Sequence, residues 1–146
     1  MPHAREQIRD AVVSAITGLD TTGANVYALR VNPFRTLPAL NVLTLDEEMR
    51  DDMGAMGDEQ IRELRLRIEG RERDPSIPDD ELDTIADEVE EAILNDATLD
   101  SLAFDLTLES TSFEYSRDGS NPTGKVEMIF AFLYQVDGRD PSIIIS

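Results

Sequence analysis

The sequence predicts an α+β fold: a mostly antiparallel β-sheet with two α-helices packed on it, in the order α-β-β-β-α-β-β. Three observations predict it. Apolar residues recur at helical spacing in two stretches, they alternate at period two in others, and one long run near the C-terminus is apolar on both faces. At 146 residues and 40% apolar content the chain reads as a single domain, 1–146, with enough material for its own core.

The opening helix carries Ile8, Val12, Ala15, Ile16 and Leu19 on one stripe, with Arg5, Glu6, Arg9 and Asp10 off it. Gly18 and residues 20–23 end it. Residues 26–31 read as a strand broken at Asn32-Pro33, and residues 38–45 as a second, with Leu40 and Val42 on one face. The acidic residues 46–59 hold Gly54 and Gly57 and read as a mobile loop. Met49, Met53 and Met56 in it suit either a soft docking surface or a short helix packed onto the body. In residues 61–73, Leu64, Leu66 and Ile68 alternate with Arg65, Arg67, Glu69, Arg71 and Arg73, giving one core face and one arginine ladder. The ladder is either a solvated face or an interface.

Residues 75–78 form a turn, and Asp79 is expected to cap the second helix, whose buried stripe is Leu82, Ile85, Ala86, Val89 and Ile93. Asp83, Asp87, Glu88, Glu90 and Glu91 crowd its other side without an intervening base, at some cost to the helix itself. Leu102, Phe104, Leu106 and Leu108 are expected on the core face of the next strand. Phe113 and Tyr115 continue it in opposite parity, which implies a bulge near residues 110–112. Residues 117–122 read as a hairpin loop, and residues 126–136 return as the longest, most buried strand. The tail, 141–146, ends in Ile143, Ile144 and Ile145, which either add an edge strand to their own sheet or pack on a neighbouring subunit.

The formal net charge of -18 argues against a nucleic-acid binder. It suits plain solubility, a wall that repels DNA, or a surface that imitates DNA. The basic residues are arginines except Lys125, and arginine is the better holder of interface ion pairs. The chain has no cysteine, one histidine (His3), no Walker A lysine motif and no G-x-G-x-x-G, and its carboxylates lack EF-hand spacing. No catalytic, cofactor-binding or metal-binding residue is therefore assigned, and the chain is not expected to be an enzyme. With no membrane-length apolar run and no secretory pattern, it is expected to be cytoplasmic or assembled in a cytoplasm.

Residues 3–12, the Gly18-Leu19 helix end, the Val26-Tyr27-Ala28-Leu29-Arg30 strand and the Leu37-Pro38-Ala39-Leu40-Asn41-Val42 strand resemble the start of a phage tail terminator. The strand, acidic helix and paired strands that follow extend the resemblance over nearly the whole chain. It implies a small virion protein forming a ring, usually of six copies. The ring caps the finished tail tube, stops its growth, offers its other face to the head connector, and lets the genome pass through its centre unread. Its partners would be itself, the tail tube protein and the connector, at the head-proximal end of the tail, after assembly in the host cytoplasm. Ring contacts are head-to-tail and need two different patches per subunit. The candidates are the Arg65, Arg67 and Arg71 ladder, the methionine loop and the isoleucine tail, with the acidic helix face as interface or channel wall. Two rivals stand beside it: a head–tail joining protein of the same fold, and an acidic DNA mimic that inhibits a DNA-binding enzyme.

Overall fold

The computed structural model describes residues 2–28, 37–50, 58–73, 78–118 and 121–145. They build a curled six-stranded sheet with two main helices packed against one face. The elements are α1 (Ala4–Ile16), β1 (Val26–Tyr27), β2 (Ala39–Met49), β3 (Glu59–Glu72), α2 (Pro78–Leu94), α3 (Ala97–Leu102), β4 (Asp105–Asp118), β5 (Asn121–Asp137) and β6 (Asp140–Ile144). The strand order is β1-β2-β3-β5-β4, with β6 also paired to β5. Only β1 and β2 run parallel; every other pairing is antiparallel.

The core lies between the helices and the sheet face they cover. Ile8, Val12 and Ile16 of α1 and Leu82, Ile85, Val89 and Ile93 of α2 are buried against Leu40, Val42, Leu64, Leu66, Ile68, Phe130, Phe132 and Tyr134. Leu106 and Leu108 of β4 pack at its margin. Each helix buries the stripe its 3.6-residue period lays down, and β3 buries Leu64, Leu66 and Ile68 in alternation. Beyond Thr17 the chain turns through Gly18 and Gly23, both at positive φ (91° and 57°), where a side chain would be strained.

Gly70 sets how closely α2 approaches the sheet. A Cβ there would lie 2.9 Å from Ile85 Cγ2, 3.1 Å from Val126 Cγ1 and 3.2 Å from Leu40 Cδ2. Gly70→Ala should therefore destabilise the fold by about 1–3 kcal/mol through overpacking, read as a lower urea midpoint at unchanged slope.

Several boundaries differ from the sequence reading. β2 runs to Met49, so residues 46–49 are strand and not loop, and Glu59 opens β3. The pairing survives the acidity because the charges are answered, Asp46 by Arg65 and Glu63 by Arg50 across the sheet, and Glu47 by Arg5 from α1. A register shift between Thr44 and Asp46 lets Leu45 bulge out. Met53 and Met56 lie outside the described residues. So does half of the expected 26–31 strand, residues 29–31, while Val26 and Tyr27 pair.

The second helix opens at Pro78, the usual place for proline in a first turn, so Asp79 sits inside the helix rather than capping it. The short α3 was not expected. Asp96 caps it by accepting from Leu99 N at 2.9 Å, and it takes Leu102 out of the strand. Phe104, expected in the core, is 55% exposed. The bulge on β4 falls between Leu108 and Ser110. The β4–β5 pairing continues to Asp118↔Asn121, which shortens the expected hairpin loop.

Candidate interaction surfaces

The arginine ladder lies on the sheet face turned away from the helices, and its members differ in what they bind. Arg65 is engaged twice, with Nη1 2.9 Å from Asp46 Oδ2 and Nε 2.8 Å from Glu109 Oε1. Its guanidinium pKa is raised, first by the hydrogen bond to Glu109 and then by Asp46. Arg71 reaches Glu69 with both Nε and Nη2. Beside it Lys125 meets Glu114 at 2.6 Å, Glu127 at 3.0 Å and Glu69 at 3.7 Å, which raises the lysine pKa and lowers that of Glu114. Arg67 differs from both. It stands opposite Leu43 and Ile129 in the register, is half-buried, and forms no ion pair with any described residue; its Nε is buried without a hydrogen-bond partner. Of Arg65, Arg67 and Arg71, only Arg67 forms no ion pair with another described residue and keeps its charge for a partner.

The acidic face of α2 divides as well. Asp83, Asp87 and Glu91 are exposed at four-residue intervals, so they form one stripe along the helix. Glu88 does not belong to it. Its carboxylate accepts from Thr21 N at 3.0 Å and Thr21 Oγ1 at 2.6 Å, pinning the loop after α1 to α2. Glu90 is half-buried.

The isoleucine tail adds β6 to its own sheet. β3 already pairs Val136 and Asp137 of β5, so β6 takes the opposite flank, in line with the start of β4. Ile144 packs against the core, Ile145 N donates to Gln135 O at 2.8 Å, and Ile143 stays 44% exposed. Where β6, α3 and the start of β4 converge, an open cavity of about 400 Å³ is lined by Ile61, Leu102, Phe104, Gln135 and Ile145.

At the far end of β4 stand two more exposed aromatics, Phe113 (43%) and Tyr115 (51%). They share a sheet face with buried Val126 but lie on a strand whose other edge is unpaired among the described residues. From Phe104 to Tyr115 the strand advances about 35 Å. One edge strand thus carries two unlike apolar surfaces, an open cavity at its start and an aromatic pair near its end. Phe104, Phe113 and Tyr115 were not among the residues singled out for a site. The signal was present in the change of parity along the strand, because the bulge it marks returns Phe113 and Tyr115 to the face of Val126.

Met49, on β2, is 49% exposed. Among the described residues no group of three or more His, Asp or Glu is placed to hold a metal, and no helix is long and apolar enough to cross a membrane. No family model matches the chain, and a search of curated proteins finds no significant relative.

Proposed function

We propose that this chain is a structural subunit of a ring at the head-proximal end of a phage tail. There it ends growth of the tail tube and presents a joining surface to the head connector. The observation that carries this reading is the pair of unlike apolar surfaces at the two ends of β4. A self-complementary patch closes a two-fold dimer, whereas two different patches on one subunit make head-to-tail contacts, which close into a ring when the rotation between subunits closes. The α+β architecture is the one the terminator resemblance implies, and the role needs no catalytic group.

In this reading the aromatic pair of one subunit seats in or beside the cavity of the next. Arg67 supplies a charged contact to a neighbouring carboxylate. Arg65 and Arg71 are bound inside the subunit, which leaves the Asp83, Asp87 and Glu91 stripe of α2 free for another role. It is assigned to the channel wall, where like charge keeps a passing phosphate backbone from adhering.

Two charge reversals separate these roles. Arg65→Glu should cost about 1 kcal/mol of stability by setting a carboxylate between Asp46 and Glu109, exposed pairs being worth little more. Arg67→Glu should leave the subunit folded but abolish ring formation, as seen by sedimentation velocity beside a thermal melt. Equal assembly by both variants would remove Arg67 from the interface. Co-expression with the tail tube protein encoded by the same genome tests the whole role, which predicts tubes of fixed length closed at one end by this chain. Uncapped tubes, with the chain bound instead to the connector, would favour the joining-protein reading. A dimer that competes with duplex DNA for a basic enzyme would favour the DNA mimic.

A further inference from the structure

A part-buried cluster of charged and polar groups ties the N-terminus of α1 to the sheet, and the ring reading makes no use of it. His3 caps the helix, with Nδ1 accepting from Arg5 N at 3.0 Å and its carbonyl accepting from Glu6 N at 2.9 Å and Gln7 N at 3.1 Å. The other ring nitrogen, Nε2, lies 3.3 Å from Nη1 of Arg62 on β3. Arg62 is held by Gln60 Oε1 at 2.9 Å and lies 3.7 Å from Glu47 Oε2 of β2. Glu47 also takes Nη1 of Arg5 and the hydroxyl of buried Tyr134. The charged groups facing the imidazole are thus Arg5 from its own helix, Glu47 from β2 and Arg62 from β3.

Both ring nitrogens therefore look at N–H donors. A neutral imidazole has one lone pair to offer, and the cap uses it at Nδ1. An imidazolium has none. Protonation would turn the cap into a clash of donors and set a third cation beside Arg5 and Arg62, with one carboxylate among them. It would also place that cation at the positive end of a helix.

We propose that His3 is an acid-sensitive latch: neutral, it caps the first turn of α1, which Arg5 ties to Glu47 of β2, and protonated, it releases that turn. The release reaches β6, because Gln7 Nε2 donates to Ser142 O at 2.8 Å. Acidification thereby loosens the strand that carries Ile143 and borders the apolar cavity. The latch stands whether or not the chain forms a ring.

The direction of the linkage follows from the same contacts. The His3 pKa is lowered from the ordinary 6.5, first by burial and then by Arg5, with Arg62 adding to it and Glu47 opposing. The unfolded chain binds the proton more readily. The latch's contribution is complete above pH of about 6.5 and is lost as pH falls from there through the folded pKa.

Because His3 is the chain's one histidine, its ring resonances titrate without overlap. The experiment is an NMR pH titration of the whole chain, paired with amide hydrogen exchange at residues 5–9 and 142–145, corrected for intrinsic rates. His3→Asn is the control, since asparagine caps a helix without titrating in this range. The expected result is a His3 midpoint below 6.5 and protection in both segments that falls up to tenfold per pH unit beneath that value, with His3→Asn flat. A midpoint at or above 6.5 overturns the latch whatever the variant does. So does the same exchange profile in wild type and His3→Asn.

Discussion

Replacing Glu47 with alanine should lower the stability of the fold by about 3 kcal/mol, the lower part of the range for breaking a buried ion pair. The carboxylate is largely buried and answers three groups at once: Arg5, Arg62 and the Tyr134 hydroxyl. Removing it leaves two guanidiniums side by side and a phenol on a fully buried ring with no acceptor. Arg5 is 39% exposed and rehydrates readily, which holds the cost below the upper end. Arg62 is not so placed, and its Nε already lacks a partner. For a chain of this size the loss corresponds to a melting temperature lower by about 6–12 °C. Glu47→Gln keeps an acceptor for Tyr134 and should fall between the two, while Ala at the exposed neighbour Glu48 should change little. Urea melts followed by circular dichroism rank the three. A Glu47→Ala midpoint within error of wild type would mean that the cluster contributes nothing net.

The double substitution Phe113→Ser with Tyr115→Ser should abolish self-association while leaving the subunit folded. Both side chains are about half exposed, so the core loses little when they are removed. An interface built on them loses two aromatic anchors. At about 2 kcal/mol each, that is a weakening on the order of 10³-fold. The same argument from the other side predicts that Phe104→Ser, which alters the cavity, has the same phenotype. Mixing the two variants should restore at most an isolated heterologous contact, since each retains one intact patch. Sedimentation velocity alongside a thermal melt reads both properties. Assembly that survives the double substitution would place the interface elsewhere.

What the sequence made legible is what local periodicity carries. The stripes of α1 and α2, the alternation along β3, the parity break in β4 and the two-sided apolar character of β5 are present in consecutive residues, and the structure follows them. The differences arise where distant residues decide. Residues 46–49 look like a loop while their carboxylates are counted alone; they are strand because Arg65 and Arg5 answer Asp46 and Glu47 across the sheet and from α1. Glu88 looks like one more surface acid until Thr21, far away in the chain, proves to be its partner. Arg65, Arg67 and Arg71 are indistinguishable in sequence, and only the facing strands show which two are spent. Phe104 reads as core because it continues the Leu106 and Leu108 phase, but α3 ends just before it and, although its N–H donates to Leu133 O of β5, its side chain stays exposed. The isoleucine tail left two readings open, and pairing of Ile144 with Val136 seats part of it in the subunit's own sheet.

The measurement that tests the central claim most directly is native mass spectrometry of the whole chain over a concentration series. It is run alone and with the tail tube protein of the same genome, with negative-stain images of the largest species. The ring reading predicts a closed assembly, of six copies, in at least the arm that contains the tube, and images of a ring seated on a tube end. A chain that stops at a two-fold dimer, or stays monomeric in both arms, would contradict it.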